Sequence, residues 1–216
     1  MPISKKKENT LKFQREIKKL FNEKKFGEII RLLENGQKDY KNKQLLMLLA
    51  LAYDQKALSL KEVRKRKENQ DKALRLYKKL LKQYPNNKEV LLGLARVYLH
   101  QKKYNQSLRF YKKILMKWKN DESAFVGLGN LYFAQGSYKK AERYYQKALG
   151  LNNKSIINWS NLAFVYKFQG NNKKALKYFK KAISILENKK TREKSRVLDK
   201  FLSQLKSEKE KLEMRT

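Results

Sequence analysis

An all-α solenoid of stacked helical hairpins is the fold class this sequence predicts, and three observations predict it. Residue types recur every 34 positions: Tyr98, Tyr132 and Tyr166 form one series, Ser107, Ala141 and Ala175 a second, and Tyr111, Tyr145 and Phe179 a third. Apolar residues lie three and four apart through most of the chain, the spacing that lines one face of a helix. Only two prolines and eight glycines occur in 216 residues, which leaves room for uninterrupted helices. A single hairpin of this kind cannot bury its own apolar face, so the array is stable only as a stack.

Taken in order, the chain opens with Met1-Pro2-Ile3-Ser4-Lys5-Lys6-Lys7, which is polar and lacks the apolar core of a secretory signal. Residues 1–9 are expected to be a disordered basic N-terminus. Phe13, Ile17 and Leu20 make one helical stripe and Phe26, Ile29, Ile30 and Leu33 another, with Gly36 as a stop signal; residues 10–41 read as a divergent helical hairpin. In residues 42–87, Leu46-x-x-Leu49-Ala50-x-x-Tyr53 marks a first helix, and Ala73-x-x-x-Tyr77 followed by Pro85 marks a second. Tyr53 and Ala73 are 20 apart where Tyr132 and Ala141 are nine apart, so this hairpin carries eleven extra residues, about three helical turns. Asp54 to Gln70 holds no Pro or Gly, which predicts a helical extension over about 54–70 rather than a loop.

Three regular hairpins follow, over 88–121, 122–155 and 156–189. Their first helices align as Leu91-x-x-Leu94-Ala95-x-x-Tyr98, Phe125-x-x-Leu128-Gly129-x-x-Tyr132 and Trp159-x-x-Leu162-Ala163-x-x-Tyr166. Small residues such as Ala141, Ala148, Ala175 and Ala182 allow close helix approach, and Gly136 and Gly170 sit where the first helix must turn into the second. In 190–216, Val197, Leu198, Phe201, Leu202 and Leu205 form one more stripe, read as a capping helix with a coiled-coil seam as the competing reading.

Over residues 88–187 this pattern resembles the tetratricopeptide-repeat (TPR) family, whose signature is W-x2-L-G-x2-Y, then A-x3-F, then P, over 34 residues. The resemblance implies two antiparallel helices per repeat, A and B, wound into a right-handed superhelix whose A helices line a concave groove. Carried over by position, the groove takes Leu92, Arg96, Leu99 and His100, then Val126, Asn130, Phe133 and Ala134, then Ser160, Asn161, Phe164, Lys167 and Phe168. Asn130 and Asn161 are similar to asparagines with which some members grip a C-terminal carboxylate, but the lysine that pattern places one turn earlier is Val126 here.

Charge is the other feature. Lys and Arg number 54 against 20 Asp and Glu, a formal net charge of +34. Such a field attracts nucleic acid, acidic lipid headgroups or acidic protein. AT-rich codons account for abundant lysine but not for scarce acids. Candidate anion-binding residues are Lys61, Arg64, Lys65, Arg66 and Lys67 in the extension, with Lys139, Lys140, Lys173 and Lys174 at the openings of two B helices. The few carboxylates, scattered among lysines, are expected to form solvated ion pairs.

No cysteine is present, His100 is the single histidine, and no Ser/His/Asp grouping, phosphate loop or zinc motif occurs, so no catalytic residue, cofactor or metal is expected. The strongest apolar run, Leu45 to Tyr53, is nine residues where a membrane span needs about 20, and a cytoplasmic location is expected. The expected function is that of a non-catalytic adaptor or scaffold binding a peptide or partner segment in the groove. The alternative is a basic-surface binder of nucleic acid or another anionic surface, and a third reading docks the C-terminal helix into another copy's groove.

Overall fold

The computed structural model describes residues 3–35, 42–190 and 196–214; among these are eleven α-helices and no strand. Two compact units divide the chain, residues 1–103 and 104–216. The first holds α1 (Ile3–Asn22), α2 (Phe26–Asn35), α3 (Lys43–Ser59), α4 (Val63–Gln83) and α5 (Lys88–His100). The second holds α6 (Tyr104–Lys117), α7 (Glu122–Ala134), α8 (Tyr138–Leu151), α9 (Ile156–Phe168), α10 (Asn172–Lys190) and α11 (Arg196–Glu213). Within each unit, helices consecutive in sequence pack on one another.

The A helices begin at capping side chains that keep the 34-residue register. Asn87 Oδ1, Asp121 Oδ1 and Ser155 Oγ accept from the backbone N–H groups of Val90, Ala124 and Asn158, at 3.0, 2.8 and 3.3 Å. Asn42 does the same for α3, accepting from Gln44 and Leu45. Each such bond satisfies one of the donors that a helix start leaves orphaned. The turn from A to B ends in a left-handed residue, Gly136 at φ 72° and Gly170 at φ 76°. The same register position in the preceding hairpin is Lys102, held at φ 58°, and Lys24 between α1 and α2 is at φ 57°.

Stacking uses tyrosine rings against helices that lack a side chain. A Cβ on Gly93 would lie 2.3 Å from the Tyr77 ring, and one on Gly127 would lie 2.2 Å from the Tyr111 ring. The next residue of that series is Asn161, which has a Cβ. There Tyr145 turns instead to Gly129 of its own hairpin, where an added Cβ would be 2.4 Å from the ring.

The eleven extra residues divide between two helices. α3 runs four residues further past Tyr53 than α5 runs past Tyr98, and α4 starts seven residues earlier before Ala73 than α8 starts before Ala141. They are 17 and 21 residues long where α5 and α8 are 13 and 14, and the chain turns between them at 60–62.

The expectation of disorder over residues 1–9 is corrected for residues 3–9, which belong to α1. No Pro or Gly falls between Ile3 and Asn22, and lysine and glutamate favour helix. Gly36 lies outside the described residues. α11 packs on α10 of its own chain, with Leu202, Leu205 and Leu212 joining the core built by Phe179, Ala182, Ile183 and Leu186. The side chains of Val197, Leu198 and Phe201 lie outside the described ones.

Candidate functional site

In the first unit the sequence-predicted groove residues divide into two kinds. Leu92 and Leu99 are half-buried apolar residues of α5. Arg96 and His100, one turn apart, both reach Asp54 on α3, a fully buried carboxylate. Arg96 Nε donates to Asp54 Oδ2 at 2.8 Å, and His100 Nδ1 lies 2.8 Å from Asp54 Oδ1. A carboxylate only accepts, so His100 carries its proton on Nδ1. Arg96 Nη2 also donates to the Tyr77 hydroxyl at 3.3 Å. Burial pushes the Asp54 carboxyl up, but the hydrogen bond and charge of His100 and the charge of Arg96 outweigh it and hold the group below its ordinary value. Asp54 is therefore not the solvated carboxylate expected from composition. Arg96 and His100 cross-link α3 to α5 before they can serve a partner.

In the second unit, Phe133 of α7 and Phe168 of α9 meet edge to face at 5.2 Å, and Tyr138 at the start of α8 lies 5.5 and 5.7 Å from them. Phe168 remains 55% exposed. Ala134 and Asn130 are exposed beside them on α7, and Val126 is half-buried. Asn130 Oδ1 accepts from the Tyr145 hydroxyl at 2.6 Å; burial pushes that phenol well above its ordinary value, so it stays protonated and able to donate. Asn161 is half-buried.

Three other groove candidates point elsewhere. Ser160 is only 4% exposed and its Oγ donates to the Ile157 carbonyl of its own helix. The Phe164 ring stands edge-on to Phe179 at 5.1 Å, directed at the core of the last hairpin. Lys167 donates to Glu208 of α11; that hydrogen bond, with further help from Lys211, holds the Glu208 carboxyl below its ordinary value against the effect of burial. Lys167 thus helps to seat the terminal helix.

The basic candidates also have local partners. Lys65 pairs with Glu62 at 2.7 Å and Arg64 with Glu68 at 3.2 Å. Arg66 donates through Nη2 and Nε to the Leu60 carbonyl at 2.8 and 3.1 Å, closing the end of α3. Lys140 sits over the Tyr132 ring at 5.4 Å and Lys174 over Tyr166 at 5.0 Å, one contact repeated in register. Lys61, Lys67, Lys139 and Lys173 are exposed. No helix among the described residues is long and apolar enough to cross a membrane.

The N-cap series at 87, 121 and 155 was visible in the sequence as Asn, Asp and Ser at 34-residue spacing. Asp54 had no such signal, because its partners are 42 and 46 residues away.

Family models described as tetratricopeptide repeat match residues 44–87, 67–128 and 120–188. No curated protein matches the chain in sequence. Among solved structures, MamA of AMB-1 is 22% identical with a TM-score of 0.53, the match covering 76% of this chain and 91% of that one. A MamA fragment from Desulfovibrio magneticus RS-1 is 20% identical with a TM-score of 0.56, covering 82% and 94%. A thermophilic TPR protein of Thermus thermophilus is 22% identical with a TM-score of 0.57, covering 67% and 74%. These likenesses concern the fold.

Proposed function

The chain belongs to the tetratricopeptide-repeat family, and from that premise we propose that it is a non-catalytic adaptor that takes a segment of another protein on the A-helix face of its second unit. The observation that carries the reading is the cluster of Phe133, Tyr138 and Phe168, whose last member leaves a large aromatic surface in water. Buried aromatic anchors dominate the energetics of protein interfaces, and a partner's apolar side chain laid on Phe168 would remove that surface from solvent. Asn130, with its oxygen engaged by Tyr145, keeps its amide N–H groups for a partner's backbone carbonyl.

Affinity purification from the native cell, with nuclease treatment as a control, tests the reading. Phe168→Ala alone and with Phe133→Ala should weaken capture at least about tenfold while circular dichroism stays unchanged. A partner held at full strength by both variants rules this face out.

The second reading, binding of nucleic acid or another anionic surface, is favoured by the exposed Lys61, Lys67, Lys139 and Lys173 and the +34 charge. Counterion release makes such binding strongest at low salt, so absence of binding to mixed RNA and DNA at about 50 mM salt would end it.

A further inference from the structure

The first unit presents an exposed apolar tip that the adaptor reading does not use. It lies where the lengthened hairpin turns: α3 ends at Ser59, α4 begins at Val63, and residues 60–62 join them. The corresponding turns of the next three hairpins are Gln101-Lys102-Lys103, Gln135-Gly136-Ser137 and Gln169-Gly170-Asn171, none with a large apolar residue. The lengthened hairpin instead carries Leu60 in its turn, flanked by Leu58 and Val63, which are 51% and 73% exposed. Every residue from 58 to 65 is exposed except Leu60, which is half-buried.

Two further features give the tip a partner chemistry. Residues 56–68 hold Lys56, Lys61, Arg64, Lys65, Arg66 and Lys67 against only Glu62 and Glu68, so an excess of four positive charges accompanies the apolar side chains. The two carboxylates pair with Lys65 and Arg64 in water, where such pairs are weak and exchange readily for other anions. The turn is also held in place by its own bonds. Arg66 donates to the Leu60 carbonyl, the Leu60 N–H donates to the Ala57 carbonyl at 3.3 Å, and Ser59 Oγ donates to the Lys56 carbonyl at 2.8 Å. A turn ordered beforehand loses little freedom on binding.

We propose that this tip docks on the surface of an anionic lipid bilayer, Leu58 and Val63 entering the interface while the neighbouring cations meet the headgroups. The proposal rests on the second reading above, an anionic surface, and names that surface. Exposed apolar side chains rimmed by charge mark interaction surfaces. A bilayer matches both halves of the tip, because hydrocarbon lies directly beneath a plane of negative charge, and being fluid it admits two side chains without a shaped pocket. Nucleic acid satisfies the cations but offers Leu58 and Val63 no apolar phase.

The test is co-sedimentation of the full chain with vesicles of phosphatidylcholine, alone or with about 30% phosphatidylserine, at about 100 mM salt. The anionic vesicles should bind at least about tenfold more tightly. Leu58→Ser combined with Val63→Ser should leave circular dichroism unchanged, since both side chains already lie in water, yet lose about tenfold in vesicle affinity. Lys61→Gln and Lys67→Gln should each lose about fivefold. Ile157→Ser, an exposed apolar residue of the second unit, and Lys139→Gln with Lys173→Gln should stay within about twofold. The chain has no cysteine, so Val63→Cys accepts a single polarity-sensitive dye, whose emission should shift to the blue on the anionic vesicles and not on RNA. Full binding by the double serine variant, an equal loss in the second-unit variants, or a dye that stays in water would each overturn the proposal. Binding of RNA without binding of vesicles overturns it while keeping the second reading, and absence of both removes the two together. None of these outcomes bears on Phe133 and Phe168, so the adaptor reading stands or falls separately.

Discussion

Asp54 is where a single residue matters most to the first unit. A buried carboxylate is tolerated only when its charge is compensated, and here Arg96 and His100 supply two hydrogen bonds from a helix that packs across α3. Because the folded chain holds this carboxyl below its ordinary value, its contribution is present above the unfolded carboxylate range. It is lost as pH falls through the folded value. Asp54→Ala should cost about 3 kcal/mol at pH 7, the low end for a broken buried pair because Arg96 and His100 still reach water. Urea denaturation at pH 7 and at about pH 2.5, below the unfolded carboxylate range, checks both parts: the parent should lose stability on acidification, and the variant should lose less. An equal pH dependence in the two proteins would mean that other carboxylates, Glu208 among them, control acid sensitivity. Lys102 illustrates the opposite situation, a residue whose backbone conformation disfavours it by about 1 kcal/mol relative to glycine.

Among the helices, α11 is the element whose role is clearest. The last hairpin would otherwise present Phe179, Ile183 and Leu186 to solvent, and α11 covers them with Leu202, Leu205 and Leu212. Burial of such side chains is worth about 1.5–3 kcal/mol each, far more than the surface ion pairs that accompany it. Leu205→Ala should therefore destabilise the second unit by about 3 kcal/mol, whereas Gln204→Ala on the exposed face of the same helix should stay within about 0.5 kcal/mol. Thermal melts of the two variants decide it. Equal effects would show that α11 is held by its charges, through Lys167 and Glu208, and not by its apolar face. α3 and α4 matter differently: their added turns bury Ala57 and bring Gln70 and Asp71 beside the end of α5, where they bond to the His100 carbonyl and to Gln101.

Across the whole molecule, a net charge of +34 sets a condition under which every local interaction acts. Like charges at this density repel, and much of the stabilisation by Lys140 and Lys174 over their tyrosines, or by Lys65 with Glu62, works against that background. Raising NaCl from about 10 to about 200 mM should raise the melting temperature by a few degrees, since the screening length falls from about 30 Å to under 10 Å. A melting temperature that stays level or falls would mean that the local ion pairs outweigh the global repulsion. The same screening weakens any anionic partner, so a partner held by the aromatic face and a ligand held by the lysines should respond to salt in opposite degree.

Much of the fold was legible before any coordinates. The 34-residue register, the pairing of helices, the small residues at their contacts and the helical nature of the extension are all periodic or local properties, and a helix expresses its pattern within a few turns of itself. The register also contained the N-caps at Asn87, Asp121 and Ser155, a signal that hydrophobic periodicity does not pick up. What local pattern could not supply was the environment of individual polar groups. Nothing near Asp54 announces Arg96 or His100, nothing in the spacing of Ser160 separates it from the exposed Phe168, and the neutral-looking Gln101 becomes an orphaned acceptor only when α4 closes over it. Solvation and charge compensation depend on which distant helix lies across a residue, and that is settled when helices pack, not when they form.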